Sequence, residues 1–513
     1  MHDTIEIMDT TLRDGEQTDG VSFSAFEKLQ LTRFLLEKLN VNRVEIASAR
    51  VSDGELDTVR EVFKWAAQKG QDDRIEILGF CDHKASVNWI LDAGGHVLNL
   101  LTKGSRRHCE LQLGKTLAEH VEDIRKTIQY AHDNGVRVNV YLEDWSNGYL
   151  NSPDYVREIT GELLQMPMNR LLLPDTLGIM GPDEVTAGIG DLLDAYPELQ
   201  ADFHGHNDYN LVVANCMAAV RAGVRGLHVS VNGLGERAGN APLESVVTAL
   251  HDKLKVQTSI VEKEITAASR LVETFSGKRI QSNRPVVGQD VYTQTAGIHA
   301  DGDKKNNLYM NPILPERFGR TRVYALGKLA GRASVENNLQ MLGIELSPER
   351  EKELLERIKK LGEQKKTVTA DDLPFLIQDL FGARGETEFL KIQDAIVTTR
   401  FNASPTAHIE VEYRGDVYAG DAQGDGGYDA FMNALREIAE KIELKIPRLV
   451  DYEVRIPPGG KTDALVETVI TWEVDGEGRH FRTIGVDPDQ VVAAIKATEK
   501  MLNRMLLPAK IFA

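Results

Sequence analysis

The stretch Val138-Asn139-Val140-Tyr141, closing on Glu143 and Asp144, reads as a buried strand that delivers two carboxylates at its C-terminal end. Seven other short apolar runs share this form. They are Ile5-Glu6-Ile7-Met8, Val44-Glu45-Ile46-Ala47, Ile75-Glu76-Ile77-Leu78, Val97-Leu98-Asn99-Leu100-Leu101, Leu171-Leu172-Leu173, Asp202-Phe203-His204 and Leu227-His228-Val229. Helical periodicity fills the gaps, as in Leu31, Phe34, Leu35 and Leu39, or Val121, Ile124 and Ile128. Eight βα units predict an α/β fold, a closed (β/α)8 TIM barrel over residues 1–260, with a doubly wound open sheet as the alternative on pattern alone. The polar residues favour the barrel. Arg13 and Asp14, Glu143 and Asp144, Asp175 and Thr176, His204 and His206, then Asn232 follow separate strands. A barrel gathers all strand ends at one mouth, where its active site lies.

Beyond the barrel the pattern changes twice. Residues 261–385 are charged and helical, with loops expected around Gly297 to Asn311 and Arg317 to Arg322, and read as a linker subdomain. Glu349 to Lys366 is nearly all charged, the mark of a solvated helix face. Residues 386–513 hold a weak internal repeat. His408 to Tyr413 alternates like a strand, and Gly424 to Asp429 opens a helix through Ala439; Thr468 to Trp472 alternates likewise, and Val486-Asp487-Pro488 opens a helix from Val491 to Leu502. Two strand-strand-helix units predict a small α+β domain with internal pseudosymmetry.

Of the 513 residues, 60 are Lys or Arg and 78 Asp or Glu, a net charge of -18. That field repels nucleic acid and anionic membrane, so neither is expected as a partner, and an anionic substrate needs local positive groups or a metal. Cys81, Cys109 and Cys216 are widely spaced and odd in number, which fits a reducing cytoplasm. The first residues read as a strand rather than a secretion signal, and no apolar run approaches the ~18 residues of a membrane span.

The sharpest chemical signal is His204-Gly205-His206. On a strand, positions i and i+2 face the same way, so both imidazoles can meet one ion. In a closed barrel the first, seventh and eighth strands are neighbours, so Asp14 can join them, and Asn240 can add a carbonyl oxygen. Two histidines, a carboxylate and an amide oxygen suit Zn²⁺, Mn²⁺, Co²⁺ or Mg²⁺, and leave positions open for the carboxylate and keto oxygens of a 2-oxo acid.

Asp9-Thr10-Thr11-Leu12-Arg13-Asp14-Gly15-Glu16-Gln17, then His204-Gly205-His206-Asn207-Asp208, then Glu236-Arg237-Ala238-Gly239-Asn240 resemble, in that order, the isopropylmalate/homocitrate/citramalate synthase family. The resemblance implies a condensation of acetyl-CoA with a 2-oxo acid, with Asp14, His204, His206 and Asn240 on a divalent metal. Arg13 would bind the keto oxygen and stabilise the developing alkoxide, and Thr176 the substrate carboxylate. Glu143 would orient or relay a proton. His299-Ala300-Asp301-Gly302 through Tyr309 resembles the segment that supplies a histidine base, so His299 is the candidate base, assisted by Tyr309 and Asp301. In the family this segment reaches the partner's barrel, which implies a homodimer with shared active sites. Lys103, Arg106 and Arg107 could meet coenzyme phosphates but read equally as solvated loop charge.

The acceptor acid follows from the pocket. Isopropylmalate synthases usually read Ser-Pro-Glu where this chain has Tyr141-Leu142-Glu143, and the strand ends place Leu78, Leu101 and Tyr141 at the mouth. Bulky apolar walls leave room for a methyl and offer nothing to a second carboxylate, so pyruvate is expected, with 2-oxoisovalerate as the alternative. One wrong methylene costs only ~1–3 kcal/mol, so selectivity should be strong but incomplete. The C-terminal repeat resembles the family's feedback domain. Tyr428, Asp429, Leu449, Tyr452, Ile456, Val466, Pro488 and Gln490 are its candidate contacts, with isoleucine expected as effector beside pyruvate and leucine beside 2-oxoisovalerate. The rivals are a lyase running the reverse cleavage and a silent amino-acid sensor. The feedback-like domain speaks against the first and the complete catalytic set against the second.

Overall fold

The computed structural model describes residues 4–304, 308–341, 344–363, 368, 372–381, 390–455, 466–474 and 479–506. They form two compact units, one of Met1–Tyr292 with Asn311–Arg322, the other of Thr293–Met310 with Val323–Ala513.

In the first unit, β1 (Glu6–Asp9), β2 (Arg43–Ser48), β3 (Ile75–Phe80), β4 (Val97–Lys103), β5 (Arg137–Glu143), β6 (Arg170–Asp175), β7 (Ala201–Gly205) and β8 (Gly226–Val229) close in sequence order into a parallel barrel. β1 pairs with β8 through Asp9 and Val229, which excludes the open sheet. The helices between them bury their apolar stripes on the outer face of the strands. The helix Ala25–Arg33 starts with a capping box of Ser24 and Glu27, and Leu117–Asp133 with one of Thr116 and Glu119.

The strand runs looked apolar, yet their embedded charges turn inward and satisfy one another. Arg43 Nη1 donates to Glu76 at 2.9 Å and its Nη2 to Asp202. Asn99 bridges Glu45 and Glu76 at 2.8 and 2.9 Å, and accepts from Asn139 at 2.8 Å. The barrel is therefore filled in part by a closed hydrogen-bonded layer, which tolerates burial because each charge has a partner.

In the second unit the segment around His299, expected as a loop, contains the helix Gly297–Lys304. β9 (Thr293–Gln294) and β10 (Val323–Tyr324) pair in parallel, and helices Arg332–Met341, Pro348–Glu363 and Leu373–Phe381 follow. The charged Pro348–Glu363 helix buries Leu354 and Ile358. The C-terminal repeat has three strands per unit rather than two. β11 (Lys391–Arg400), β12 (Ala403–Tyr413) and β13 (Asp416–Gln423) precede the helix Gly427–Lys441. β14 (Arg448–Arg455), β15 (Val466–Val474) and β16 (Arg479–Asp487) precede Gln490–Leu506. β11 is polar and largely exposed, so it gives no clean alternation to read. Phe431, Leu435, Ile470, Trp472 and Met501 join both halves in one core. Among the described residues no helix is long and apolar enough to cross a membrane.

Candidate active site

Asp14 lies in the turn beyond β1 rather than at the strand's end. Its amide and that of Gly15 bond back to the Thr10 carbonyl at 2.9 and 3.0 Å, which folds the carboxylate over the barrel mouth. His204 is in β7 and His206 just past it. His204 Nε2 stands 3.2 Å and His206 Nε2 4.0 Å from Asp14 Oδ2, and the two Nε2 atoms are 3.4 Å apart.

Asn240 is held beside His206 by backbone pairing: Ala241 N donates to Gly205 O at 3.1 Å and Asn207 N to Gly239 O at 2.9 Å. A Cβ on Gly235 would lie 2.6 Å from Asn240 Oδ1, so the chain beside this amide must be glycine. Asn240 is buried, yet among the described residues neither its Oδ1 nor its Nδ2 has a protein partner, a costly state unless something else satisfies it.

The donor set fits a divalent cation. Asp14, His204 and His206 offer ligand atoms within 4.8 Å of one another, all buried, with the unsatisfied Asn240 oxygen beside them. Burial alone would raise the Asp14 carboxyl, but the Arg13 guanidinium and His204 hold it well below the usual carboxylate range. Burial, with His204 next to it, pushes His206 down to about 4, which keeps its imidazole neutral and able to ligate.

Arg13 is pinned through two of its nitrogens. Nη1 pairs with Asp14 at 3.2 Å and Nε donates to Glu45 at 2.5 Å, while the guanidinium stands 5.9 Å from the Tyr141 ring. Glu45 also accepts from Thr10 Oγ1 at 2.8 Å. Sequence reading missed Glu45, although a lone carboxylate inside a buried run signals a partner. Thr176 Oγ1 accepts from the Asp144 amide at 2.9 Å, leaving its proton to donate, and its carbonyl accepts from Arg237 Nη2 at 2.8 Å. Lys103, set aside as a rim cation, is buried and pairs with Glu143 instead. Arg106 and Arg107 are exposed.

Leu78, Tyr141 and Leu172, with Leu101 packed on them, form a small apolar cluster inside the barrel, separate from the main core. Leu172 was not anticipated. Tyr141 stands edge-on to His204, ring centroids 5.9 Å apart, so this wall adjoins the donor cluster.

His299, Asp301 and Tyr309 belong to the second unit, where the His299 and Tyr309 rings stack at 4.2 Å. In the C-terminal domain Tyr428, Asp429 and Leu449 line one cleft of about 610 Å³ with Arg436 and Trp472. Tyr452 packs on Tyr428 at 5.1 Å, and Val466 is buried. Pro488 and Gln490 are exposed and outside the cleft lining, and Ile456 lies outside the described residues.

A parallel eight-stranded barrel with this donor set at its mouth defines the class, a barrel enzyme built for a divalent metal. Residues 4–272 match the HMGL-like family, 286–366 the homocitrate synthase post-HMGL domain-like family, and 367–506 the LeuA allosteric (dimerisation) domain. The chain is 34% identical to the "Probable 2-isopropylmalate synthase" of Methanopyrus kandleri, over 98% of this chain and 99% of that one. It is 32% identical to the "Putative (R)-citramalate synthase CimA" of the same organism, over 98% and 97%. It is also 32% identical to the "2-isopropylmalate synthase" of Methanocaldococcus jannaschii, over 98% and 95%. The chain belongs to the HMGL-like family, in the group of acyl-transferring synthases whose barrel is followed by a LeuA domain.

Proposed function

We propose that this enzyme condenses acetyl-CoA with pyruvate, and that water then cleaves the thioester, to give (R)-citramalate and CoA. The observation that carries the acceptor assignment is the apolar wall of Leu78, Leu101, Tyr141 and Leu172 beside Arg13 and His204. These four side chains suit a methyl, and none of them carries a cation to pair a second carboxylate.

Asp14, His204, His206 and Asn240 would hold the divalent metal, which when bound supplies Lewis-acid polarisation of the keto group. Arg13, fixed by Glu45 and Asp14, turns its remaining Nη2 to the keto oxygen and stabilises the charge that develops there as the new carbon–carbon bond forms. Thr176 donates its hydroxyl proton to the acceptor's carboxylate. Glu143, held by Lys103, orients the reacting end of the acetyl group. His299, stacked on Tyr309 and near Asp301 in sequence, takes the acetyl methyl proton, in the shared site of a homodimer. The LeuA domain would bind a feedback amino acid, isoleucine for this product, in the cleft of Tyr428, Asp429 and Leu449.

The second reading is 2-isopropylmalate synthase, favoured by the names of two of the relatives above. Release of free thiol from acetyl-CoA with pyruvate or 2-oxoisovalerate, Mn²⁺ present, separates them. A kcat/KM for the branched acid more than about tenfold higher would reject pyruvate, since about tenfold is the low end of what one methylene is worth in an apolar pocket.

A further inference from the structure

The Tyr141 hydroxyl is the one polar group in the apolar acceptor wall, and it does not face the acceptor freely. Its Oη lies 2.9 Å from His228 Nδ1, and His228 Nε2, which makes no hydrogen bond among the described residues, lies 3.5 Å from the Asp202 Oδ2 charge. All three side chains are buried. Asp202 is also gripped by Arg43 and, at 3.2 Å, by Arg170 Nη1. Two guanidiniums on one carboxylate keep it anionic, so the imidazole proton belongs on Nε2, the nitrogen that faces it. Nδ1 is then an acceptor, and the Tyr141 O–H must donate to it.

We propose that His228 is a positioning residue for the acceptor pocket. By accepting the Tyr141 hydrogen bond and fixing the ring, 5.5 Å and 81° from its own, it turns a tyrosine into an apolar wall with no donor to spare. The inference rests on the acceptor reading above and deepens it. Selectivity for a short apolar side chain then depends on a residue that never touches the acceptor. A carboxylate or hydroxyl at that end of the acid would find no proton on the wall itself, because the Tyr141 proton is committed to the barrel interior. If the bond to His228 is lost, the hydroxyl turns toward the pocket and the wall loosens.

The test compares Tyr141→Phe, His228→Leu, His228→Asn and the double variant Tyr141→Phe/His228→Leu, with KM and kcat for pyruvate and 2-oxobutanoate. Asparagine places an amide oxygen close to where Nδ1 sits, so it can restore the acceptor. Expected is a rise in pyruvate KM of about tenfold for His228→Leu, larger than its fall in kcat, with a weaker preference for pyruvate over 2-oxobutanoate. The double variant should be no worse than the poorer single one, and His228→Asn should stay within about threefold of wild type. An unchanged KM in His228→Leu would overturn the proposal. So would full additivity in the double variant, or damage by asparagine equal to that by leucine, which would make His228 a packing residue. If His228→Leu fails to fold, His228→Asn and Tyr141→Phe still decide, since loss of selectivity in the first but not the second contradicts a shared bond. A wild type that prefers 2-oxoisovalerate sinks the acceptor reading alone, and the same variants are then scored on that acid.

Discussion

Glu45 Oε2 accepts from Arg13 Nε at 2.5 Å, so a carboxylate 32 residues along the chain aims the guanidinium of the candidate active site. Glu45→Gln keeps the shape and removes the charge. Steady-state assays should show kcat/KM lower by roughly 10- to 100-fold, the range for one charge-assisted bond, with the metal content unchanged. Loss of the metal together with the activity would mean that Glu45 acts on Asp14 rather than on Arg13.

Chelation should abolish turnover, and Mn²⁺ or Zn²⁺ should restore it. Asp14→Asn should remain at least about a thousandfold slower in kcat at any metal concentration, as expected when the Lewis acid is lost. Elemental analysis of the purified variant should show less than one equivalent of metal. Full occupancy with full activity would remove Asp14 from the centre.

Lys103→Met distinguishes its two readings. Because the ammonium is buried on Glu143, the variant should lose roughly 10- to 100-fold in kcat, as for a broken, largely buried pair, with the acetyl-CoA KM within about threefold of wild type. A rise confined to the acetyl-CoA KM would return Lys103 to the coenzyme rim.

His120 should make stability depend on pH. Its Nε2 accepts from the Lys103 amide at 3.0 Å, and burial pushes it down to about 4, against about 6.5 in an unfolded chain. The unfolded state therefore binds the extra proton between those values, and stability falls as pH drops from about 6.5 to 4 by about 3 kcal/mol at most from this group. His120→Gln keeps an acceptor and does not titrate. Urea midpoints measured across that window should fall less steeply for the variant than for wild type; parallel curves would exclude the assignment.

How much of the site was legible varied with how local its signal is. His204 and His206 were readable because strand geometry alone puts i and i+2 on one face, and Asp14 and Asn240 because their motifs resemble a known family. Glu45, Lys103, Leu172 and His228 were not. Each sits in a run whose neighbours are mostly apolar, and its role depends on a partner more than 30 residues distant, such as Arg13 for Glu45 or Tyr141 for His228. The polar strand β11 escaped notice for the opposite reason: its exposure leaves no periodic trace.

The sequence by itself determined the eight-fold alternation, the barrel that follows from it, and the residue types gathered at its mouth. These are local properties: apolar period, run length and what ends each run. Tertiary structure alone decided which charges answer one another across the barrel, that Lys103 turns inward to Glu143, and that the Tyr141 hydroxyl lies against His228. Those choices are set by closure, because only a closed ring of strands brings β2 to β4, β5 to β8 and the turn after β1 to β7 within hydrogen-bond reach.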